Sequence, residues 1–97
     1  MKVKELITLV NNNFFYSLHD LDEIENLPKC VAEGLELDQH RWYSTAINVY
    51  KCEDGFVGIW GIYQSFYEYQ DYKDIGIKCV ALEYEEVPSV TYKPKPG

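Results

Sequence analysis

Residues 41–66 read RWYSTAINVYKCEDGFVGIWGIYQSF, and this stretch decides the fold because it predicts a long β-hairpin. The run from Arg41 to Cys52 is rich in Trp, Tyr, Thr, Ile and Val, the residue types that strands favour. Glu53-Asp54-Gly55 follows, and an Asp-Gly pair supplies the positive φ angle that a tight hairpin turn needs. Phe56 to Phe66 is then the returning strand.

The returning strand is apolar on both of its sides, so we expect it to lie at the centre of a sheet with cover on each face. One side carries Phe56, Trp60, Ile62 and Phe66, and the other carries Val57, Ile59 and Tyr63. Gly58 and Gly61 leave gaps along this strand that a helix or a large ring could fill.

An N-terminal helix is predicted by apolar residues that recur at the spacing of one helical face. These residues are Val3, Leu6, Ile7 and Val10. We expect Asn11-Asn12-Asn13 to end the helix, since asparagine tolerates the left-handed conformation that is common at helix C-termini.

Three weaker patterns lie between this helix and the hairpin. The aromatic run Phe14 to Leu18 could form a short strand. Asp20 and Glu23 have the spacing of a capping box, which predicts a short helical turn after Asp20. Val31 to Asp38 predicts a further strand, in which Gly34 indicates a bulge or a close approach of the backbone.

Beyond the hairpin, Ile75 to Val87 predicts the last long strand, and Val90 and Tyr92 predict a short pairing at its edge. The whole pattern predicts a single α+β domain over residues 1–93 with a frayed tail at 94–97. Its N-terminal helix would pack on an antiparallel β-meander of three to five strands. The alternative is a small, partly open β-barrel with a helix, because the glycines permit strong strand curvature.

The chain has 16 Asp and Glu residues against 9 Lys and Arg, a formal charge of −7 at neutral pH. This charge disfavours direct binding to nucleic acid or to anionic membranes, since both are bound mainly through Lys and Arg. A basic or nucleic-acid-binding protein is the partner that the charge favours. No secretory signal or apolar run of about 20 residues is present and no CxxC occurs, so a cytoplasmic protein with reduced thiols is expected.

The sequence contains no phosphate-binding loop, dinucleotide fingerprint or nucleophile elbow. Cys30, Cys52 and Cys79 are interpreted as small buried hydrophobes, and the carboxylates that follow Cys52 should raise its thiol pKa. His19 and His40 stand near carboxylates but lack the spacing of a metal site. We therefore expect no catalytic residue, no metal and no cofactor. A small enzyme or metal protein that uses His19, His40 or Cys30 is the competing hypothesis.

Residues 67–74 read YEYQDYKD, in which carboxylates and tyrosines are interleaved. Carboxylates spaced among rigid rings can imitate a phosphate backbone, and tyrosines are frequent anchors of interfaces. The alternative is a solvated loop whose tyrosines partly pack on the sheet. The predicted partner contacts are Tyr67, Glu68, Tyr69, Asp71, Tyr72 and Asp74, with Glu53 and Asp54 at the hairpin tip as a second choice.

Three stretches resemble small acidic proteins of bacteriophages, prophages and mobile elements: residues 1–7 (MKVKELI), 50–58 (YKCEDGFVG) and 86–93 (EVPSVTYK). With the charge and the missing catalytic signature, the resemblance implies a non-enzymatic protein-binding module in a bacterial cell. Its expected role is inhibition of a host nucleic-acid-handling or defence protein. The alternative is a structural or accessory homo-oligomer, in which exposed rings such as Trp42 and Tyr43 form the subunit interface.

Overall fold

The computed structural model describes residues 1–66, 75–88 and 91–96. Its elements are α1 (Val3–Asn11), a 3₁₀ helix (Leu18–Glu23), β1 (Lys29–Gln39), β2 (Tyr43–Cys52), β3 (Gly55–Ser65), β4 (Val80–Val87) and β5 (Thr91–Pro94). The five strands form one antiparallel sheet in the order β1-β2-β3-β4-β5, curled into a half-barrel. The predicted α+β fold with an antiparallel meander is confirmed. The sheet is also curled, as the alternative prediction of a partly open β-barrel anticipated. Neither described helix is long and apolar enough to span a membrane.

The predicted hairpin is confirmed, and it forms the middle of the sheet. β2 and β3 pair from Cys52 with Gly55 at the turn to Tyr43 with Ser65 at the open end. β2 begins at Tyr43 rather than at Arg41, because the His40 N–H donates to the Tyr43 carbonyl at 2.8 Å and closes the turn from β1. β3 lies between β2 and β4, which is the central position that its two apolar sides predict.

The helix α1 covers one face of β3 and β4, here called the helix face. The buried helix residues Val3, Leu6 and Val10 share a core with Val57, Ile59 and Ala81 of the sheet. A helix of nine residues is unstable alone in water, so this apolar contact is what keeps it folded.

The opposite face of the sheet holds a second, smaller core because the sheet curls over it. Ile47, Val49 and Tyr84 are buried there, and Leu35 of β1 and Tyr92 of β5 pack against them. A cavity of about 170 Å³ is bordered by both edge strands, so the curl brings β1 and β5 toward each other. The two glycine gaps of β3 are also filled as expected, by the Tyr84 ring at Gly58 and by Cys79 and Leu18 at Gly61.

The C-terminal end of α1 is held by β4 instead of by a left-handed residue. The helix ends at Asn11 as predicted, but Asn12 has a φ of −95°, so the expected left-handed cap is wrong. The Asn11 carboxamide donates to the Ala81 carbonyl at 3.1 Å and accepts from the Ala81 N–H at 2.8 Å. The Lys78 ammonium donates to the Asn11 carbonyl at 2.6 Å, which places a cation at the negative end of the helix.

The segment after α1 differs in part from the sequence predictions for it, since the helical turn forms but begins three residues earlier than expected. The 3₁₀ helix begins at Leu18, so the capping box predicted to start at Asp20 is wrong. Asp20 lies inside the helix, where one carboxylate oxygen accepts the N–H groups of Tyr16 and Ser17 at 3.0 and 3.1 Å. Residues 14–18 are not a strand, although Ser17 makes a single parallel bridge to Ile62.

The last strands are shorter than the sequence pattern indicates. β4 begins at Val80, five residues after the predicted start at Ile75. The predicted edge pairing is confirmed at Tyr92, which pairs with Glu86. Val90 lies outside the described residues, and the domain limit at residue 93 stays a prediction.

Candidate functional site

Six of the eight predicted partner contacts lie in residues 67–74, which are outside the described residues. Their role in binding therefore stays a prediction. The described chain leaves β3 at Ser65 and enters β4 at Val80. The acidic aromatic connection, residues 67–74, therefore lies in the chain between β3 and β4.

Glu53 and Asp54, the other two predicted contacts, hold the start of α1. The Asp54 carboxylate accepts the Val3 N–H at 2.8 Å, a capping bond supplied by the hairpin turn rather than by the helix itself. The Glu53 N–H donates to the Met1 carbonyl at 3.1 Å, and the Glu53 carboxylate lies 3.0 Å from the Met1 amino group. These contacts give both residues a structural role, and partner binding by them stays a prediction.

Three large apolar side chains lie together on the face of the sheet opposite α1. They are Trp60, Val80 and Leu82, here called the apolar patch, and each is at least 36% exposed. Trp60 pairs directly with Val80, and Leu82 pairs with Gly58, two residues along β3 from Trp60. Because alternate residues of a strand share a face, the three side chains are neighbours. Single exposed apolar residues are ordinary, whereas adjacent ones mark interaction surfaces.

The three cysteines are free thiols, and each has a raised pKa. Burial is the main cause in every case, and it raises the pKa of Cys79 to about 12. For Cys52 the expected direction is confirmed, with burial contributing more than the neighbouring Asp54. A reactive thiol needs a lowered pKa, so the surroundings of these cysteines favour a structural role.

Of the three residues in the enzyme or metal hypothesis, the structure brings two together and places the third apart. His19 and Cys30 border one pocket, whereas His40 stacks on Tyr43 elsewhere, with ring centroids 4.7 Å apart. Among residues 1–66, 75–88 and 91–96, no group of three or more His, Cys, Asp or Glu side chains is arranged to hold a metal ion.

The pocket beside His19 has a volume of about 320 Å³ and lies on the helix face, next to the 3₁₀ helix. A bulge in β1 shapes it. Gly34 has a φ of +72°, and its N–H donates to the Asn48 side chain on β2 at 2.9 Å. The pairing of β1 with β2 shifts register across this point, between Ala32 and Leu35, and also between Cys30 and Ala32 and between Leu35 and Asp38. The bulge predicted at Gly34 is confirmed, and it turns β1 around the pocket.

Two hydrogen bonds fix the rim of the pocket. The Tyr63 hydroxyl donates to the Glu33 carboxylate at 3.2 Å, and the Tyr63 carbonyl lies 3.1 Å from His19 Nε2. A carbonyl can only accept, so Nε2 carries the proton and Nδ1 of the neutral ring is an acceptor. Deeper in the pocket, Tyr50 is 4% exposed, and burial raises its pKa to about 12 against an opposing hydrogen bond from Asn48.

Comparisons of the chain with protein-family models, with curated proteins and with solved structures found no match. The geometry of this chain is therefore what indicates its function. That geometry defines an α+β half-barrel domain with an exposed apolar patch on one face and a polar pocket on the other.

Sequence reasoning did not single out the apolar patch or the pocket. The patch had a partial signal, since the apolar alternation of Trp60 along β3 was recognised, but the pairing of β3 with β4 was needed to place Val80 and Leu82 beside it. The pocket joins residues from the 3₁₀ helix and three strands. No local pattern shows that such distant residues meet.

Proposed function

We propose that this protein is a non-enzymatic protein-binding module that contacts its partner through the apolar patch. The supporting observation is the adjacency of Trp60, Val80 and Leu82 on the sheet face that α1 leaves uncovered. Trp is among the residues most often found as energetic centres of interfaces. The raised thiol pKa values support the non-enzymatic part of the proposal.

The partner that best fits is a protein whose apolar surface is bordered by Lys and Arg. A second copy of this chain would bring another charge of −7 to the same interface, and such a charge opposes self-association. The acidic aromatic connection, residues 67–74, joins the two strands that carry the patch, so its carboxylates would meet basic residues around the apolar contact. The finer proposal is a phage-type inhibitor that occupies the nucleic-acid groove of a host protein.

Leu82 and Leu37 offer a matched pair of variants for testing the patch. Both are 54% exposed, but Leu37 lies on edge strand β1, away from Trp60. Leu82→Asp and Leu37→Asp remove the same apolar group and add the same charge. The wild-type chain, immobilised, would be used to capture proteins from a bacterial lysate, and the captured protein would be identified, purified and titrated with both variants.

We expect Leu82→Asp to weaken the purified complex by about 10-fold or more and Leu37→Asp by less than about 2-fold. Equal weakening of the complex by the two variants would refute the patch as the binding surface. It would also be refuted if the immobilised wild-type chain captured no protein in larger amount than immobilised Leu82→Asp does. The finer proposal requires that the captured protein bind nucleic acid, and that addition of the wild-type chain displace this nucleic acid. It also requires that Tyr69→Ala/Asp71→Lys relieve this competition.

A second candidate function is the homo-oligomer, which one observation favours. Trp42 and Phe66 are both exposed, and the Phe66 N–H donates to the Trp42 carbonyl at 2.8 Å, so two large rings stand at one end of the sheet. Light scattering over a range of concentrations tests it, since a strict monomer would eliminate this candidate.

A further inference from the structure

We propose that the pocket on the helix face is a binding site for an organic cation, an alkylammonium group on a short apolar stem. This chemistry is shared by free amines and by lysine side chains. The inference does not rest on the proposed function, because the pocket and the apolar patch lie on opposite faces of the sheet.

The charges around the pocket favour a cation. Asp22 and Glu33 border it, and no Lys or Arg in the described part of the chain does. An anion would therefore meet two carboxylates and no compensating charge. The negative charge of Asp22 also contributes to the raised pKa of Tyr50, so it acts on the interior of the pocket as well as at its mouth.

The polar atoms on the rim suit a group that donates hydrogen bonds. His19 uses Nε2–H on the Tyr63 carbonyl, and in the neutral imidazole this leaves Nδ1 as an acceptor. The Glu33 carboxylate accepts one hydrogen bond, from the Tyr63 hydroxyl, and has further lone pairs to offer. An ammonium group supplies three donors and needs no acceptor, which matches this set.

The walls suit the rest of an alkylammonium ion. Leu18, Leu27 and Pro28 form an apolar side that an aliphatic stem would cover. Tyr50 and Tyr63 add aromatic rings, whose faces attract cations. A concave site with apolar walls and a few convergent polar groups is the usual form of a small-ligand site, and about 320 Å³ is at the lower end of the usual size.

A bare metal ion fits the same pocket poorly. Calcium and magnesium take several oxygen ligands at about 2.0–2.6 Å. His19, Asp22, Cys30 and Glu33 all border the pocket, but no three of these described residues are arranged to hold a metal ion. An organic cation instead can fill the pocket and contact its apolar and its polar lining residues at the same time.

The test is a titration of the ¹⁵N-labelled chain with n-butylammonium, followed by amide chemical shifts. We expect saturable shifts at His19, Gly34 and Tyr63, which surround the pocket. n-Butanol has the same stem without the charge, and we expect it to bind at least about 5-fold more weakly. Absence of saturable shifts at these amides, or equal binding of the alcohol, would overturn the proposal.

Glu33→Gln and Asp22→Asn test the two carboxylates, and each should weaken n-butylammonium binding by about 3- to 10-fold. Gln can still accept from the Tyr63 hydroxyl, so the rim should keep its geometry, which the amide spectrum of the variant would show. Asp38→Asn is the control, because it changes the net charge equally from outside the pocket. Weakening by Asp38→Asn as large as by Glu33→Gln would mean that overall charge is responsible and would overturn the site.

Nα-acetyl-lysine methylamide separates the two sources of the ammonium group. Binding at least as tight as that of n-butylammonium points to a lysine side chain of a protein, since the pocket then accommodates the peptide backbone. Binding of n-butylammonium alone points to a free amine. Failure of the patch variants leaves this test unaffected, because it uses only the purified chain and small ligands.

Discussion

The ring of Tyr84 lies so close to Gly58 on the neighbouring strand that a Cβ atom at position 58 would come within 3.0 Å of three ring carbons. Tyr84 is buried at the centre of the second core, between Ile47 and the edge strand β5. The position of the Tyr84 ring in the second core therefore depends on the absence of a side chain at position 58.

Gly58→Ala should lower the free energy of unfolding by about 1–3 kcal/mol, because the buried ring must leave its position. Urea unfolding measures the loss. In a Tyr84→Ala background the added methyl group has room, so Gly58→Ala should cost little there. Equal costs in the two backgrounds would show that the ring contact is not the cause.

Asp54→Ala should lower the free energy of unfolding by about 0.5–2 kcal/mol, because the Val3 N–H at the start of α1 loses its acceptor. Asp54→Asn keeps a side-chain oxygen and should lose less. Asp38→Ala, at an exposed position on β1, is the control and should change stability little. Urea unfolding of the three variants would contradict this role if Asp54→Ala and Asp38→Ala behaved alike.

The cysteines should differ in their rate of alkylation by iodoacetamide at about pH 8, where raised thiol pKa values leave little thiolate. Cys30 is partly exposed and should react first, whereas Cys52 and Cys79 are buried and should react only as the chain opens. Mass spectrometry of peptides gives the order, and the urea-unfolded chain, in which all three react, is the control. Fast labelling of Cys79 in the folded chain would contradict its burial.

Alkaline pH should destabilise the fold. Burial raises the pKa of Cys79 from 9.0 to about 12 and that of Tyr50 from 10.0 to about 12. A raised folded-state pKa means that the neutral form is favoured in the folded chain. The stability that comes from this preference for the neutral form is therefore complete below about pH 9 and is lost as pH rises toward 12.

Urea unfolding at a series of pH values measures this loss. Cys79→Ala and Tyr50→Phe should each reduce the slope of stability against pH in the alkaline range. Tyr92→Phe, on edge strand β5, is the control for removing a phenol. An unchanged slope in both core variants would show that these two groups are not responsible.

The sequence predicts those parts of the fold that are determined by residues close together in the chain. Asp54-Gly55 specifies the turn, and the two apolar sides of β3 specify its central place in the sheet. The contacts between distant residues have no such signal. Nothing in the sequence near Asn11 shows that its carboxamide pairs with the Ala81 backbone, 70 residues away.

The pocket was missed for the same reason, and one of its causes has no sequence signature at all. Gly34 predicts a bulge in β1, but Glu36 also has a positive φ, of +50°, which a glutamate does not favour. The shape of β1 there depends on its partner strand, where Asn48 holds the Gly34 N–H. Tertiary contacts, rather than local preference, therefore decide the position of the pocket.

The bond between Asn11 and Ala81 cannot form before β4 is present. The helix leaves the ribosome before the strand that holds it, which is synthesised about 70 residues later. Neighbouring strands can pair as they emerge, whereas the helix must wait with its apolar side uncovered. If the helix also docks last when the complete chain refolds, Leu6→Ala should accelerate unfolding and leave the folding rate nearly unchanged. A slower folding rate in this variant would instead place the helix in the folding nucleus.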